Sequence, residues 1–216
     1  MENISIPFES EQIKCILDKP GNAKAILVIA HGAGAPMTHP FMDILSTSLV
    51  ASGCATLRFN FPYMEAGRKS PGSPKKNIEC WRTVVQWTLE HVQLPCFIGG
   101  KSYGGRMASH LMADTSSTDI RGLIYFGFPL HAPGKPSQDR ASHLSAIAPP
   151  QLFLQGTKDA LADFTLVSGV ANQIQSKCIA IEGGDHSFKV KGRPQTEVIQ
   201  EVSRYADDWI TGLINT

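Results

Sequence analysis

Gly100-Lys101-Ser102-Tyr103-Gly104 is a G-x-S-x-G pentapeptide, and its serine is the first candidate for chemistry in the chain. A serine hydroxyl is a poor nucleophile until a neutral imidazole can take its proton, and the imidazole must be held in one tautomer by a carboxylate. The pentapeptide follows the apolar Cys96-Phe97-Ile98-Gly99 and precedes a stretch of helical spacing, Tyr103 to Ala113. A serine on so sharp a strand-to-helix turn has a strained backbone, which small flanking residues allow to close. The turn also sets the hydroxyl at a helix N-terminus, where backbone N–H groups favour developing negative charge.

The partners are read from chain order: nucleophile, then acid, then histidine. Asp159 follows Leu154-Gln155-Gly156-Thr157-Lys158, just past a late strand, and His186 lies in Gly183-Gly184-Asp185-His186-Ser187-Phe188, just past the last one. Asp163 is the rival acid, with helix capping as its simpler role. Asp185 adjoins His186, but neighbouring side chains diverge, so it reads as a loop stabiliser. The oxyanion of an acyl-transfer intermediate needs donors. The Tyr103 N–H is one, and the loop His31-Gly32-Ala33-Gly34-Ala35-Pro36 offers the other, from Ala33 first or Gly34 second. Lys101, directly before the nucleophile, is expected to point away from it and to support neighbouring loops, as is Arg106. Histidines 39, 91, 110, 131 and 143 lack a comparable strand-end setting and read as surface or packing residues.

The elements that must position these groups are legible as near-continuous apolar runs at Ala25–Ala30, Cys54–Phe59, Cys96–Ile98, Gly122–Phe126, Gln151–Leu154 and Cys178–Ile181. Runs of that kind are strands covered on both faces. Helical spacing at Phe41–Ala51, Asn77–Val92, Tyr103–Ala113, Ala162–Ile174 and Glu197–Ile214 alternates with them, which predicts a mostly parallel, doubly wound α/β sheet with helices on both faces. Ile4–Phe8 and Gln12–Leu17 predict an antiparallel hairpin at its edge. Pro62–Lys76 and Phe128–Ser142 read as loops joining strand ends to helices at the carboxyl edge, where ligands bind in such sheets. Tyr63, Arg68 and His131 on them are the expected substrate-contacting residues, and a cationic Arg68 would favour an acidic substrate. The span between Phe128 and Pro149 has room for a short helix but not for a large lid.

The chain has 216 residues, 42% hydrophobic and 18% charged, which suits one domain over residues 1–216. A net charge of +1 gives no basic excess to hold nucleic acid or a membrane surface and points to a small or neutral partner, which the triad makes a small-molecule acyl substrate. No apolar run approaches the roughly 20 residues of a membrane span. The N-terminus lacks the basic start and apolar stretch of a secretory signal. Five cysteines without a C-x-x-C pair predict a reducing, cytoplasmic setting, with Cys54, Cys96 and Cys178 as core residues. No His, Cys or carboxylate spacing predicts a metal site, and no dinucleotide fingerprint is complete.

Beyond the triad, Phe61-Pro62-Tyr63, Gly67-Arg68-Lys69-Ser70-Pro71, Trp81-Arg82, Gly104-Gly105-Arg106, Phe128-Pro129-Leu130-His131, Pro133-Gly134-Lys135-Pro136 and Gly183–Phe188 form an ordered series over almost the whole chain. The series resembles the branch of α/β-hydrolases that contains testis-expressed protein thirty and the third subunit of the NSL chromatin complex, and more distantly the dienelactone hydrolases. The resemblance implies an α/β-hydrolase fold, a triad of Ser102, Asp159 and His186, and no cofactor. It implies either a hydrolase acting through an acyl-enzyme or, as one relative belongs to a chromatin assembly, a catalytically silent binding scaffold. The intact triad favours the hydrolase.

Overall fold

The computed structural model describes residues 1–114 and 119–215. Eight strands form one sheet: β1 (Glu2–Phe8), β2 (Glu11–Asp18), β3 (Ala25–Ala30), β4 (Cys54–Phe59), β5 (Cys96–Lys101), β6 (Ile120–Phe126), β7 (Gln151–Gly156) and β8 (Lys177–Ile181). Their spatial order is β1-β2-β4-β3-β5-β6-β7-β8. The hairpin β1–β2 and the β2–β4 pair are antiparallel, and every other pairing is parallel. The α-helices among the described residues are α1 (Pro40–Ala51), α2 (Pro62–Glu65), α3 (Pro74–His91), α4 (Tyr103–Ala113), α5 (Phe164–Gln173) and α6 (Gln195–Ile214).

Two apolar layers hold the sheet. Trp81 and Val84 of α3, Met107 and Leu111 of α4, and Val167 of α5 pack on one face. Phe41 and Leu45 of α1 with Val198 and Ile210 of α6 pack on the other. Alternation along a strand sends successive side chains to opposite faces. Within β5, Cys96 and Ile98 therefore join the first layer while Phe97 joins the second. The thiols serve as small core groups: burial pushes those of Cys15, Cys54 and Cys96 up to about 12, which leaves them protonated and inert.

Chain direction across the sheet reverses between β3 and β5. From β3 the chain moves outward to β4, crosses back to β5, and then steps through β6, β7 and β8. The carboxyl ends of β3 and β5 thus border the crevice where open α/β sheets bind ligands. The loop starting at His31 and the turn at Ser102 lie there.

Two expected loops differ in detail. Pro62–Lys76 contains the four-residue α2 and the first turn of α3, each started by a proline, which fixes φ and lacks an N–H that the first turn leaves unpaired anyway. Phe128–Ser142 does not lead into an α-helix. Only 3-10 turns at Asp139–Ala141 and Leu144–Ala146 separate β6 from β7, so no large lid stands over the sheet edge among the described residues.

Candidate active site

Ser102 is the N-cap residue of α4, with φ 51° and ψ −112°. That left-handed backbone is unfavourable for any residue with a Cβ. The surroundings enforce it: a Cβ on Gly100 would lie 2.5 Å from the Gly105 nitrogen, and one on Gly104 would lie 2.5 Å from the Ala30 carbonyl oxygen. Strand β5 and helix α4 therefore meet backbone to backbone, with β3 wedged against both. Since Ser102→Gly relieves the φ strain while Ser102→Ala keeps it, the glycine variant is expected to exceed the alanine variant by about 1 kcal/mol in urea unfolding. Equal midpoints would show that the turn stores no strain.

Ser102 Oγ lies 2.8 Å from His186 Nε2, and His186 Nδ1 lies 2.7 Å from Asp159 Oδ2. The Asp159 side chain is fully buried and His186 is 24% exposed. Both carboxylate oxygens of Asp159 are fixed: Oδ1 accepts from the Leu161 N–H at 2.8 Å, and Oδ2 accepts from Gln155 Nε2 at 2.7 Å as well as from the imidazole. With Nδ1–H donated to the carboxylate, Nε2 is left as the acceptor facing Ser102. The two loops that carry acid and base abut. The Lys158 N–H donates to the Gly184 carbonyl at 2.9 Å, and a Cβ on Gly156 would lie 2.3 Å from that same oxygen. Asp185 Oδ1 accepts from the N–H groups of Ser187 and Lys189, and so shapes the turn around His186.

A cavity of about 370 Å³ opens beside Ser102 and His186. Ala33 and Gly34 line it, and Gly32 backs onto the nucleophile, its Cβ position being 3.9 Å from Ser102 Cβ. The Tyr103 N–H sits at the first position of α4, where a helix offers no carbonyl partner. Tyr103 and the Ala33–Gly34 segment thus border the serine from two elements.

A model of the alpha/beta hydrolase domain matches residues 23–211. The chain belongs to the α/β-hydrolase family. Among solved structures, the α/β-hydrolase fold here is similar to an alpha-beta serine hydrolase homologue from Coxiella burnetii, with TM-score 0.76, 22% identity and 97% of each chain covered. It is also similar to dienelactone hydrolase from Anabaena variabilis, with TM-score 0.77 and 17% identity over 98% of this chain and 97% of that one. A third is Est1E from Butyrivibrio proteoclasticus with ferulic acid bound, with TM-score 0.76 and 15% identity over 99% of this chain and all of the other.

Three residues expected to touch substrate do not line the cavity of this α/β-hydrolase. Tyr63 is buried, and its hydroxyl donates to the Ala33 carbonyl at 2.9 Å, so it holds the loop rather than a ligand. His131 is also buried; its Nε2 accepts from the Asp163 N–H at 2.8 Å and its Nδ1 donates to the Ala132 carbonyl. It ties the loop after β6 to the loop that carries Asp159. Arg68 is exposed past the end of α2 and outside the cavity lining, which removes the reason to expect an acidic substrate. Asp163 caps α5 by accepting from the Leu166 N–H, so the rival acid is a structural group.

Two further histidines shape the site: His31, and His39, which is expected as a surface or packing residue and is exposed. His31 is completely buried, accepts from the Phe61 N–H through Nε2 at 3.1 Å and donates to the Gly32 carbonyl through Nδ1 at 2.7 Å. Burial pulls it down to about 4, so it stays neutral and keeps that tautomer across the working pH range. It fixes the start of the loop that Tyr63 fixes further on. His39 caps α1 by accepting from the Phe41 N–H, and lines the cavity. The sequence signal for His39 was present in the following Pro40, since proline at a first helical position makes its predecessor a cap.

Among the described residues no group of three or more His, Cys, Asp or Glu side chains could hold a metal, and no helix is long and apolar enough to cross a membrane.

Proposed function

We propose that this α/β-hydrolase is a serine esterase that cleaves uncharged carboxylic esters or thioesters through an acyl-enzyme on Ser102. The observation that carries the reading is the unbroken chain Ser102 Oγ, His186 Nε2, His186 Nδ1, Asp159 Oδ2, with contacts of 2.8 and 2.7 Å. Ser102 Oγ attacks the substrate carbonyl carbon as its proton passes to His186 Nε2. The resulting oxyanion is held by the Tyr103 N–H and by Ala33 or Gly34. Collapse expels the alcohol or thiol, which takes the proton from His186. Water then gives a proton to His186, attacks the acyl-enzyme, and the acid leaves as Ser102 recovers its proton.

The substrate class follows from the cavity. Its volume of about 370 Å³ is at the low end of the roughly 300–1,000 Å³ typical of ligand pockets, which favours a compact group. Ala35, Phe41, Met42 and Leu161 supply its apolar wall. Among the described lining residues there is no arginine, and the one lysine is engaged with a backbone carbonyl. A buried carboxylate on the substrate would therefore lose hydration without a free ammonium or guanidinium to pair with. A p-nitrophenyl butyrate is expected to exceed the matching hemisuccinate by at least about tenfold in kcat/KM. Equal rates, or a preference for the hemisuccinate, would contradict the assignment of the cavity.

The ordered motifs from Phe61 to Phe188 support placement in the branch of testis-expressed protein thirty and the third NSL subunit. All five cysteines are unpaired, which supports a cytoplasmic setting.

A further inference from the structure

We propose that Lys101 is a positioning residue for the Ser102–His186–Asp159 constellation, holding the backbone of His186 and setting the charge beside its imidazole; the proposal rests on the esterase reading above. Lys101 Nζ donates to the carbonyl oxygen of His186 at 2.6 Å. His186 is therefore held twice by consecutive residues of one turn: its main chain by Lys101, its side chain by Ser102.

The ammonium occupies a demanding place. Lys101 shares a strand face with Phe97, and its Nζ lies 5.9 Å from the ring centre of Phe41 on α1 and 5.3 Å from that of Phe188. A methionine would fill such a slot without the cost of desolvating a cation. Burial pulls the ammonium down to about 8, against the attraction of Asp159 and Asp185. Packing alone therefore does not call for a lysine, and its charge falls where the chemistry is.

Gly127 shows how close that charge comes. Its φ is +74°, and a Cβ there would lie 3.2 Å from Lys101 Nζ, 3.7 Å from Asp159 Oδ2 and 3.7 Å from His186 Nδ1. The three groups thus surround one point, and glycine leaves it open. The ionisable groups around the imidazole are Asp159 after β7, Asp185 in its own loop, Lys101 at the end of β5, and His31 and His39 across the cavity; α1 adds the apolar Phe41 and Met42 on this side. Removing a cation from beside the imidazole takes away a charge that repels a proton on that ring, so a variant without it is expected to bind that proton more readily.

The test is Lys101→Met, which retains volume and removes donor and charge. Its kcat for a neutral ester is expected to fall about 10- to 100-fold with KM little changed, because a reacting group displaced by an ångström costs that much. The acid limb of its pH–rate profile is expected to move up by about 0.5–1 unit, a change that mere loosening of the fold would not give. The ring Cε1–H resonance of His186 should titrate with the same upward displacement in the absence of substrate. A folded Lys101→Met with wild-type kcat and an unmoved His186 titration overturns the proposal. Should that variant not fold, Lys101→Gln decides: its kcat is expected to fall at least about tenfold with KM little changed, and a folded Lys101→Gln with wild-type kcat overturns the proposal. Because the titration needs no turnover, a wild type inactive on every ester would sink the esterase reading without touching this result.

Discussion

Replacing Ser102 or His186 by Ala is expected to lower kcat by about 10⁶-fold while leaving the circular dichroism spectrum unchanged. The size follows from the way the two groups act as one. In the proposed mechanism there is no acyl-enzyme without the hydroxyl, and without the imidazole the hydroxyl stays protonated, so either loss removes the covalent route. Structure should survive because Ser102 makes no capping bond to α4 and His186 is partly exposed. The double variant is expected to be no worse than either single one, in contrast to independent contributions, which would multiply. Steady-state assays on a neutral ester measure all three. A Ser102→Ala protein retaining a tenth of wild-type turnover would place the nucleophile elsewhere.

Asp159→Asn is expected to cost about 10⁴-fold in kcat, more than the loss of one charge would suggest. Three donors converge on the two carboxylate oxygens: the Leu161 N–H, Gln155 Nε2 and His186 Nδ1. An amide offers one oxygen, so its NH₂ must face part of that set. Gln155 Oε1 is buried without a partner among the described residues, and a rotated Gln155 amide can accept from the new NH₂. The remaining amide hydrogen then faces His186 Nδ1, which must become an acceptor. The proton moves to Nε2, and the ring can no longer take one from Ser102. Nitrogen-15 shifts of His186 should report this tautomer exchange, and a loss below tenfold with an unchanged tautomer would contradict the account.

The parts of this site that follow local rules were legible in the chain. Gly100 and Gly104 flank the serine because backbone approaches of 2.5 Å permit nothing larger, and that constraint is written as G-x-S-x-G. Asp159 and His186 were legible because each follows a strand end on the same sheet edge. Strands Ala25–Ala30 and Cys54–Phe59 match their apolar runs to the residue, since both faces of each are covered.

Side-chain direction in loops has no such period. Tyr63 and His131 sit in segments correctly placed near the edge, yet their polar atoms turn inward to backbone partners, Ala33 and Asp163. Nothing in their spacing tells an inward ring from an outward one. Helix α2 was hidden because four residues cannot display a 3.6-residue repeat. The role of Gln155 was equally invisible: it faces Asp159 by virtue of a strand register that only the folded sheet sets.

Labelling the purified protein with a fluorophosphonate, followed by peptide mass mapping, tests most directly whether Ser102 is an activated nucleophile. The assembled geometry predicts one adduct, on Ser102, formed rapidly in the wild type and lost in His186→Ala. A folded wild-type protein without an adduct, or one in which His186→Ala labels as fast as wild type, would contradict it and leave the hydrolase fold as a binding scaffold.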